Sequence, residues 1–375
     1  MQLSVIILNY NVRYFLEQCV LSVQKALESI DGEIIVIDNA SSDDSCKMIK
    51  EKFSTITLIE NKENLGFPKG NNIGVAQAKG EYICILNPDT VVAEDTFSKI
   101  LNTKNWTLNT GILGCKLIDG SGKFLPECKR GVPTPWVAFT KIFGLYKLFP
   151  KSSWFNQYYA MHLDENQSGE VDILVGAFMF MKRDLYLKIG GFDENCFMYS
   201  DDIDLSYLVK KAGYSNYYFA DATVIHYKGE STVRDGLYMK RFREAMQFFY
   251  KKHFKKSWFF DVMMQIGSFA FSLVKRNQQK NIKPNIDEFL IFSDKKIKLK
   301  TDKSVEYLTD LNQFQVEENK HVEIVFDIDF LDFNEVIFFM EKHKNRNISF
   351  KNYISKSNYL IGSYNSNDKG EVILL

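Results

Sequence analysis

The chain has 375 residues, of which 45 % are hydrophobic and 25 % are charged, an ordinary composition for a globular protein. Its 47 basic and 47 acidic residues balance, so no global positive field attracts nucleic acid, and we expect no nucleic-acid partner. This length can bury one large core and leaves room for a smaller second domain.

The six cysteines are scattered singly, without the spacing of a metal site or a redox pair. Buried free thiols in a reducing compartment are the simplest interpretation. The first residues run directly into an apolar stretch at residues 3–8, without the basic region or the cleavage site of a signal peptide. We therefore expect a cytoplasmic enzyme.

Residues 1–115 alternate short apolar runs with stretches of helical spacing, such as residues 14–30. The apolar runs cover residues 4–8, 33–37, 57–59, 82–86 and 111–115. Continuous apolar strands separated by helices are typical of a parallel sheet that is covered on both faces. Ligands of such sheets bind beyond the carboxyl ends of the strands, which here indicates residues 9–11, 38–44 and 87–90.

The first candidate site follows the apolar run at residues 33–37. Asp38 can accept hydrogen bonds there from a uracil or thymine imide, or from ribose hydroxyls. The residues after it, including Ser41, also suit the cap of a helix that begins near Asp44. From the residues alone, nucleotide binding and helix capping both remain open.

The glycine-rich stretch at residues 64–74 is the second candidate. Glycines such as Gly66 would let the backbone approach a ligand closely, and Lys69 would face a phosphate. A turn that precedes a helix explains the same residues equally well.

Asp89 closes the run at residues 82–86 and is a candidate metal ligand. A diphosphate leaving group needs its growing negative charge neutralised, which a divalent cation does well. Such a cation prefers oxygen ligands, here the Asp89 carboxylate and phosphate oxygens. The same residues also make a good turn. His226 is a candidate second ligand because Asp89 already predicts a metal.

Three carboxylates lie within four positions at Asp201, Asp202 and Asp204, at the start of a predicted helix that ends at Gly213. Acidic residues in a first turn often serve only the helix dipole. Three of them exceed what capping requires, so one is a candidate general base that deprotonates an acceptor hydroxyl.

Taken in order, these motifs resemble the family 2 glycosyltransferases of the GT-A fold, in particular the bacterial rhamnosyltransferase-like enzymes of surface-polysaccharide assembly. The resemblance is carried by residues 4–11, 38–44, 64–74, 87–90, 176–180, 190–194, 201–205 and 226–231. It implies an α/β fold with a Rossmann-like mixed sheet and helices on both faces.

The resemblance also implies roles for individual residues. The nucleotide-binding residues would be Asn9, Asn11, Asp38, Ser41, Gly66, Lys69 and Asn71, with Asp38 holding the base. A divalent metal, Mg²⁺ or Mn²⁺, would bind Asp89 and His226, although His226 would alternatively contact the diphosphate. Gly176 and Ala177, together with Asp201, would line the sugar and acceptor pocket.

By the same resemblance Asp202 would be the catalytic base, with Asp201 beside it and Asp204 as a third choice. One base and no nucleophile imply a single in-line displacement with inversion, because a retaining enzyme would need a second nucleophile. The chain departs from the family pattern at Asn87, where the metal-binding motif usually begins with an acid, and at Asp201, where many relatives have Glu. The metal site therefore carries less negative charge.

The implied donor is dTDP-rhamnose, with a UDP-sugar as the second choice, and the implied acceptor is a glycan or a polyprenyl-linked sugar. A nucleotidyltransferase and a non-catalytic sugar- or membrane-binding protein are the alternatives. The first would need a glycine-rich phosphate loop after the first strand, where residues 9–11 contain no glycine. The second would not need the acids and the histidine together.

Residues 257–274 are apolar with a narrow polar stripe and basic residues at both ends. Two interpretations stay open: a helix in the membrane interface, which would place the enzyme at the cytosolic face of the inner membrane, or a core helix packed on the catalytic domain. The length and the polar stripe disfavour a transmembrane span. The aromatic and lysine-rich stretch 136–159 is a second candidate for contact with a membrane or an acceptor.

The expected domains are a GT-A catalytic domain at residues 1–250, a helical segment at 251–283 and a small α/β domain at 284–375. Strand-like and helical runs in the last domain cover residues 289–292, 322–326, 333–343 and 359–361. A docking or packing role without chemistry is favoured for this C-terminal domain, and no specific function is predicted for it.

Overall fold

The computed structural model describes residues 1–104, 106–107, 109–149, 152–228, 236–254, 283–315, 320–344, 347–366 and 369–375. The apolar stretch 257–274 and the end of the motif after residue 228 lie outside these residues. Among the described helices, none combines the length and the apolar content that crossing a bilayer requires.

The N-terminal part of the chain alternates strands and helices as the sequence predicts. Its strands are β1 (Leu3–Asn9), β2 (Gly32–Asp38), β3 (Thr57–Glu60), β4 (Tyr82–Leu86), β5 (Thr90–Val91), β6 (Thr110–Ile118), β7 (Lys129–Arg130), β8 (Gly169–Val171), β9 (Ile173–Leu174), β10 (Phe178–Lys182) and β11 (Ser215–His226). Its helices are α1 (Arg13–Ala26), α2 (Ser45–Lys52), α3 (Gly66–Gln77), α4 (Thr96–Leu101), α5 (Pro135–Ile142), α6 (Leu145–Leu148), α7 (Arg183–Lys188), α8 (Asp201–Lys211) and α9 (Gly236–His253).

Within the described residues, nine of these strands form one sheet in the order β3-β2-β1-β4-β10-β6-β11-β5, with β8 paired to β11. Strands β1 to β4 are parallel, whereas β10 is antiparallel to both β4 and β6. The mixed sheet that the resemblance implies is therefore confirmed. All five predicted runs up to residue 115 lie in this sheet, and because β10 is antiparallel to both β4 and β6, β6 runs in the same direction as β4. The sequence pattern did not predict that antiparallel β10 separates β4 from β6, because a strand buried on both faces has the same pattern in either pairing.

The register of the sheet brings several strand ends to one edge. Asn9 at the end of β1 pairs with Asp38 at the end of β2. Leu86 ends β4 beside Ile7 of β1. His226 ends β11 and pairs with Thr90, which follows the loop after β4. The loops after β1, β2, β4 and β11 therefore leave the same region of the sheet.

Helix α3 packs closely against β1 and β2 through its glycines. A Cβ atom on Gly70 would lie 2.4 Å from Leu8 Cδ1, and one on Gly74 would lie 2.5 Å from Ile37 Cδ1. Any larger side chain at these two positions would push the helix away from the sheet. These glycines bring the first turn of α3 to the ends of the strands.

The C-terminal part of the chain forms a second sheet. Its elements are β12 (Glu288–Phe292), β13 (Ser304–Leu308), β14 (Val322–Asp327), α10 (Phe333–Lys342), β15 (Ile348–Ile354), β16 (Tyr359–Gly362) and β17 (Glu371–Leu374), paired in the order β13-β12-β14-β15-β16-β17. The three predicted strands and the predicted helix of this region are confirmed. Short 3-10 helices cover Pro126–Cys128, Leu311–Gln313 and Ser355–Ser357.

The second sheet shares a hydrophobic core with the first part of the chain. Phe15 and Tyr227 pack in one cluster with Phe292 and Phe326. Glu94, in the first part of the chain, caps the start of α10 in the C-terminal domain. Its carboxylate accepts from the backbone N–H groups of Phe333 and Asn334 at 2.8 and 2.9 Å. The C-terminal domain therefore packs directly against the first part of the chain, and its role stays a prediction.

Two glycines make this docking close. Gly122 has a φ of +79°, and a Cβ atom there would lie 2.3 Å from the Met340 carbonyl oxygen. A Cβ atom on Gly120 would lie 2.6 Å from Ser363 Oγ. Ser363, directly after β16, therefore packs against the first part of the chain. All six cysteines are free thiols, as their spacing predicts.

Candidate active site

The loops after β1 and β2 are joined by a hydrogen-bond network around Asp38. One carboxylate oxygen of Asp38 accepts from Asn9 Nδ2 at 2.7 Å, and the other accepts from the backbone N–H of Ser41 at 2.8 Å. Ser41 Oγ accepts from Asn9 Nδ2 at 3.0 Å and from the Asn11 backbone N–H at 2.9 Å. Four of the predicted nucleotide-binding residues therefore form one rigid unit, with Asp38 2 % exposed.

The glycine-rich stretch joins the same unit through Asn39. The Asn39 side chain donates to the carbonyl oxygen of Gly66 at 3.2 Å and accepts from Asn61 Nδ2 at 2.8 Å. Gly66 has a φ of +80°, and a Cβ atom there would lie 2.7 Å from the Phe197 carbonyl oxygen. The freedom of Gly66 therefore serves packing against the chain itself. Lys69 lies exposed on α3.

Two buried amide oxygens in this region lack a hydrogen-bond donor within the described part of the chain. They are Asn9 Oδ1 and Asn71 Oδ1, on side chains that are fully buried. Asn71 uses its Nδ2 to donate to the Phe67 carbonyl oxygen at 2.9 Å. Buried acceptors are normally satisfied, so these two oxygens have capacity for a water or a ligand donor.

Asp89 and His226 meet at the junction of β5 and β11. Asp89 Oδ1 lies 3.4 Å from His226 Nε2, and Asn87 Nδ2 lies 3.4 Å from the same nitrogen. The backbone N–H of Tyr227 donates to the Asp89 carbonyl oxygen at 3.0 Å and fixes the loop. Both side chains are buried, so a carboxylate and an imidazole, two groups that can bind a divalent cation, face each other.

The described residues contain no cluster of three or more histidines, cysteines or carboxylates with the geometry of a metal site. Asp89 and His226 therefore offer two protein ligands. A hard cation commonly completes its shell with phosphate oxygens and water, so the pair fits a metal that binds together with a diphosphate.

Lys228 and Glu127 form an ion pair beside His226. Burial acts to raise the pKa of Glu127, but the Lys228 ammonium lowers it below its usual range, and His226 contributes in the same direction. Neither Lys228 nor Glu127 was predicted as a site residue from the sequence, although Lys228 lies in the motif at residues 226–231. The ion pair places a second cationic group next to the candidate metal ligands.

Asp202 is held by an arginine that the sequence analysis did not identify. Asp202 Oδ2 accepts from the Arg130 guanidinium at 2.5 Å and from the Gly176 backbone N–H at 3.2 Å. Asp202 Oδ1 accepts from the Ile203 backbone N–H at 2.7 Å. Both partners of the ion pair are only 11 % exposed at the side chain. The ion pair and these hydrogen bonds fix the position of the Asp202 carboxylate.

Asp201 has a different environment from its neighbour. Burial, reinforced by the Asp202 charge, raises the pKa of Asp201 to about 7. A buried carboxyl group whose pKa is raised toward neutrality is typical of acid–base sites. Asp201 is therefore the member of the pair that changes its protonation near neutral pH.

Asp204, the third acid, lies in another set of contacts. Its carboxylate pairs with Lys252 at 2.8 Å and with His253 Nε2 at 2.5 Å, both at the end of α9. Asp204 therefore anchors α9 to α8, and the geometry does not favour it as a base.

Gly176 and Ala177 connect the acidic pair to the metal loop. A Cβ atom on Gly176 would lie 3.4 Å from Asp202 Cβ and 3.6 Å from Asp201 Oδ2. The Ala177 carbonyl oxygen accepts from the backbone N–H of Asn87 at 3.0 Å. This stretch therefore brings the predicted base and the predicted metal loop together.

Strained backbone marks the same loops. The non-glycine residues with left-handed backbone include Asn11 (φ 56°), Ala40 (φ 60°), Tyr199 (φ 77°) and Lys228 (φ 62°). Such a conformation costs roughly 1–2 kcal/mol per residue and concentrates at functional sites. Each of these residues adjoins one of the sets of contacts described above.

Comparison with known proteins identifies the family to which the chain belongs. Residues 4–190 match the family model described as Glycosyl transferase family 2. The chain is 26 % identical over 244 residues to the N-acetylglucosaminyl-diphospho-decaprenol L-rhamnosyltransferase of Mycobacterium tuberculosis, an alignment that covers 62 % of this chain and 78 % of that protein. It is 28 % identical over 225 residues to the rhamnosyltransferase WbbL of Escherichia coli K12, covering 55 % of this chain and 78 % of that protein.

Among solved structures, the chain is similar to the mannosyltransferase PcManGT of Pyrobaculum calidifontis in complex with GDP-Man and Mn²⁺. The match has a TM-score of 0.47 and 17 % sequence identity, and it covers 74 % of this chain and 76 % of that one.

Proposed function

Because the chain belongs to glycosyl transferase family 2, we propose that it is a metal-dependent, inverting enzyme that transfers a sugar from a nucleotide-diphosphate donor to an acceptor hydroxyl. One observation carries this proposal. The Asp38 network, the Asp89–His226 pair and the buried Asp201–Asp202 pair lie on connected loops, and Gly176 and Ala177 bridge the last two.

The donor's nucleoside is proposed to bind at the loops after β1 and β2. Asp38 keeps lone pairs for a base imide or for ribose hydroxyls, because each of its oxygens accepts one hydrogen bond in the described network. Asn9 and Asn71 each contribute an unpaired acceptor. Lys69 is proposed to reach the phosphates from its exposed position on α3, with Gly66 as part of the supporting turn.

Asp89 and His226 are proposed to hold Mg²⁺ or Mn²⁺, which supplies the positive charge that stabilises a departing diphosphate. Asn87 lies 3.4 Å from His226 and contributes an uncharged amide at the position where the family motif usually has an acid. With two protein ligands, the site binds the cation well only when the diphosphate is present. The Lys228–Glu127 ion pair lies on the same side of the site.

The acidic pair is proposed to accept the proton of the acceptor hydroxyl. The family resemblance designates Asp202, but Asp202 Oδ2 is already engaged by Arg130 and by the Gly176 N–H. A base works best when its pKa is near the working pH, which favours Asp201. We therefore assign proton acceptance to Asp201, with Asp202 fixed as its charged neighbour.

The reaction then proceeds in one displacement. Asp201 takes the hydroxyl proton, the acceptor oxygen bonds to the anomeric carbon, and the bond from that carbon to the diphosphate breaks. The nucleoside diphosphate leaves with the electron pair, so the anomeric configuration inverts. A retaining route would need a separate nucleophile on the opposite face of the sugar.

The two curated relatives support rhamnose as the transferred sugar, because both are named as rhamnosyltransferases. We propose dTDP-rhamnose as donor and a UDP-sugar as the second choice. The acceptor is proposed to be a polyprenyl-linked sugar or a growing glycan, since one relative is named for a diphospho-decaprenol acceptor. The setting would be surface-polysaccharide assembly at the cytosolic face of the inner membrane.

A donor panel tests this proposal. Purified protein is incubated with dTDP-rhamnose and with UDP-sugars, in Mn²⁺, in Mg²⁺ and in a chelator, and release of nucleoside diphosphate is measured. We expect slow hydrolysis of one donor that the chelator abolishes, and loss of that metal-dependent turnover in Asp89→Asn. Failure of every sugar nucleotide to bind in the presence of either metal would contradict the proposal.

A further inference from the structure

The segment of the chain that contains α5 and α6 has an unusual composition. Between Glu127 and Asp164 the chain contains no acidic residue, but it contains Lys129, Arg130, Lys141, Lys147 and Lys151 together with nine aromatic residues. A long stretch that combines positive charge and aromatic side chains is typical of a surface that meets an anionic partner.

The structure exposes the large apolar side chains of this stretch. Trp136, Phe143, Leu148, Phe149 and Trp154, here called the aromatic patch, are 43, 50, 70, 51 and 71 % exposed. Single exposed apolar residues are ordinary, but five within nineteen positions form an exposed apolar group of the kind that marks an interaction surface.

Contacts between rings show that the patch is continuous. Trp136 lies 5.8 Å from Phe155, and Phe155 lies 5.2 Å from Phe149. Phe139 connects Trp136 to Phe143 at centroid distances of 5.6 and 4.6 Å. The rings therefore form one surface.

A hydrogen bond ties the two tryptophans of the patch together. Trp136 Nε1 donates to the Trp154 carbonyl oxygen at 2.8 Å. The two segments that carry these residues, α5 and the chain after α6, are thereby held side by side.

The charges of the patch match one occupant. Lys141 and Lys147 have no carboxylate at ion-pairing distance among the described residues; Lys141 Nζ instead lies 3.5 Å from the Tyr158 ring centroid, and Lys147 Nζ lies 5.8 Å from that of Tyr146. Lysines that are not neutralised beside exposed tryptophan and phenylalanine suit the phosphates and the upper acyl chains of an anionic bilayer.

The patch also leads to the candidate base. Lys141 lies over Tyr158, and Tyr158 lies beside Arg130; although burial acts to raise the pKa of Tyr158, these two cations lower it. Arg130 in turn binds Asp202 at 2.5 Å. These contacts connect Lys141, beside the patch, to the acidic pair, so the patch and the acidic pair belong to one continuous part of the fold.

We propose that the aromatic patch, with Lys141 and Lys147, is the surface by which this protein docks on an anionic bilayer. The inference rests on the proposed transfer to a lipid-linked acceptor, and it identifies the face on which that acceptor is presented. The patch lies outside the apolar stretch 257–274, so it makes a separate prediction about where the membrane contact occurs.

Vesicle sedimentation with the full chain tests the docking surface. Vesicles of phosphatidylcholine with phosphatidylglycerol, containing no acceptor, are compared with phosphatidylcholine alone. We expect binding to the anionic vesicles that weakens with salt. The double variant Leu148→Ser/Trp154→Ser should bind the anionic vesicles at least about tenfold more weakly than the wild type, because it removes two exposed apolar side chains from the contact.

Phe338→Ser provides the matched control, because Phe338 is 67 % exposed on α10, in the C-terminal domain. This variant should bind vesicles like the wild type. Unchanged binding of the double variant, or no binding of the wild type to anionic vesicles, would overturn the proposal. So would a dimer in solution that the double variant converts to monomer, since the patch would then be a subunit interface.

A second readout separates this inference from the proposed function. Metal-dependent hydrolysis of the sugar nucleotide in solution should be equal in the wild type and in the double variant, because no residue of the patch contacts the acidic pair. Vesicle binding without turnover of any donor would contradict the proposed function and leave the docking surface standing. Turnover of a donor, with equal vesicle binding by the wild type and the double variant, would support the proposed function and contradict the docking surface.

Discussion

The Arg130 guanidinium and the Asp202 carboxylate form a buried ion pair with a 2.5 Å contact. Arg130 lies on the two-residue strand β7 and Asp202 in the first turn of α8, 72 residues apart in the chain. The pair determines how the two neighbouring acids divide their roles. Arg130 fixes Asp202, while burial, reinforced by the neighbouring Asp202 carboxylate, raises the pKa of Asp201.

Replacing either acid should abolish transfer. We expect Asp201→Asn and Asp202→Asn each to lower the rate by about 10²–10⁴-fold, the usual contribution of general base catalysis. Donor affinity should remain, because neither residue belongs to the Asp38 network. Transfer kinetics and calorimetric donor binding measure the two effects, with exposed Asp221→Asn as the matched control. Full activity of Asp201→Asn would show that the base is assigned to the wrong residue.

The pH profile distinguishes the two acids. Because the pKa of Asp201 is raised to about 7, this group loses its proton only as the pH rises through that value. The transfer rate should therefore fall about tenfold for each pH unit below neutrality. A stopped assay across pH 5 to pH 9 measures this, with the ascending limb expected near pH 7. An ascending limb near pH 4 would instead fit an acid of ordinary pKa as the base.

The same raised pKa affects stability. Asp201 binds its proton more tightly in the folded protein than in the unfolded chain, where an aspartate has a pKa of about 4. Its contribution to stability is therefore present below pH 4 and is lost as the pH rises through about 7. Asp201→Asn removes this penalty. At pH 8 the variant should be at least as stable as the wild type in urea unfolding, and a clear loss of stability would contradict the assignment.

The ion pair itself should be coupled in a double-mutant cycle. Arg130→Met leaves Asp202 charged and buried without a cation, which typically costs about 3–5 kcal/mol. Arg130→Met/Asp202→Asn removes both charges and should recover a large part of that loss. Urea unfolding of the wild type, both single variants and the double variant measures the coupling. Additive effects would mean that the two side chains do not interact in solution.

The docking of the C-terminal domain can be tested at a glycine. Gly122→Ala combines a φ of +79° with a Cβ atom 2.3 Å from the Met340 carbonyl oxygen. Gly144 has a similar φ of +68° but open space around it, so Gly144→Ala is the control for backbone strain alone. We expect about 1 kcal/mol of destabilisation for Gly144→Ala and about 1–3 kcal/mol more for Gly122→Ala. Equal thermal stability of the two variants would show that the contact is not made.

Part of the site could be predicted because its residues are close in sequence to the strands that carry them. Asp38 and Asp89 each follow an apolar run, and the ends of parallel strands meet at one edge of a sheet. The three acids at the start of α8 stood out by their number alone. These predictions needed only local patterns and the rule that connects them.

Other features depend on contacts between distant residues, and no local pattern revealed them. Arg130 is one cation in a stretch that is rich in lysines and aromatic residues, so nothing in the local sequence distinguishes it. Its partner Asp202 lies far away in the chain. The antiparallel insertion of β10 between β4 and β6 is likewise a choice of pairing, which strand composition does not specify.

The sequence by itself therefore determined the family, the order of the strands and helices, and the acids that surround the candidate site, because these follow from periodicity and from short motifs. The tertiary structure decided which of two adjacent acids is neutralised by an arginine, and it decided that the C-terminal domain docks through Glu94 and Gly122. Burial and long-range pairing govern these outcomes, since a carboxylate's proton affinity depends on the charges and the solvent that the fold brings to it.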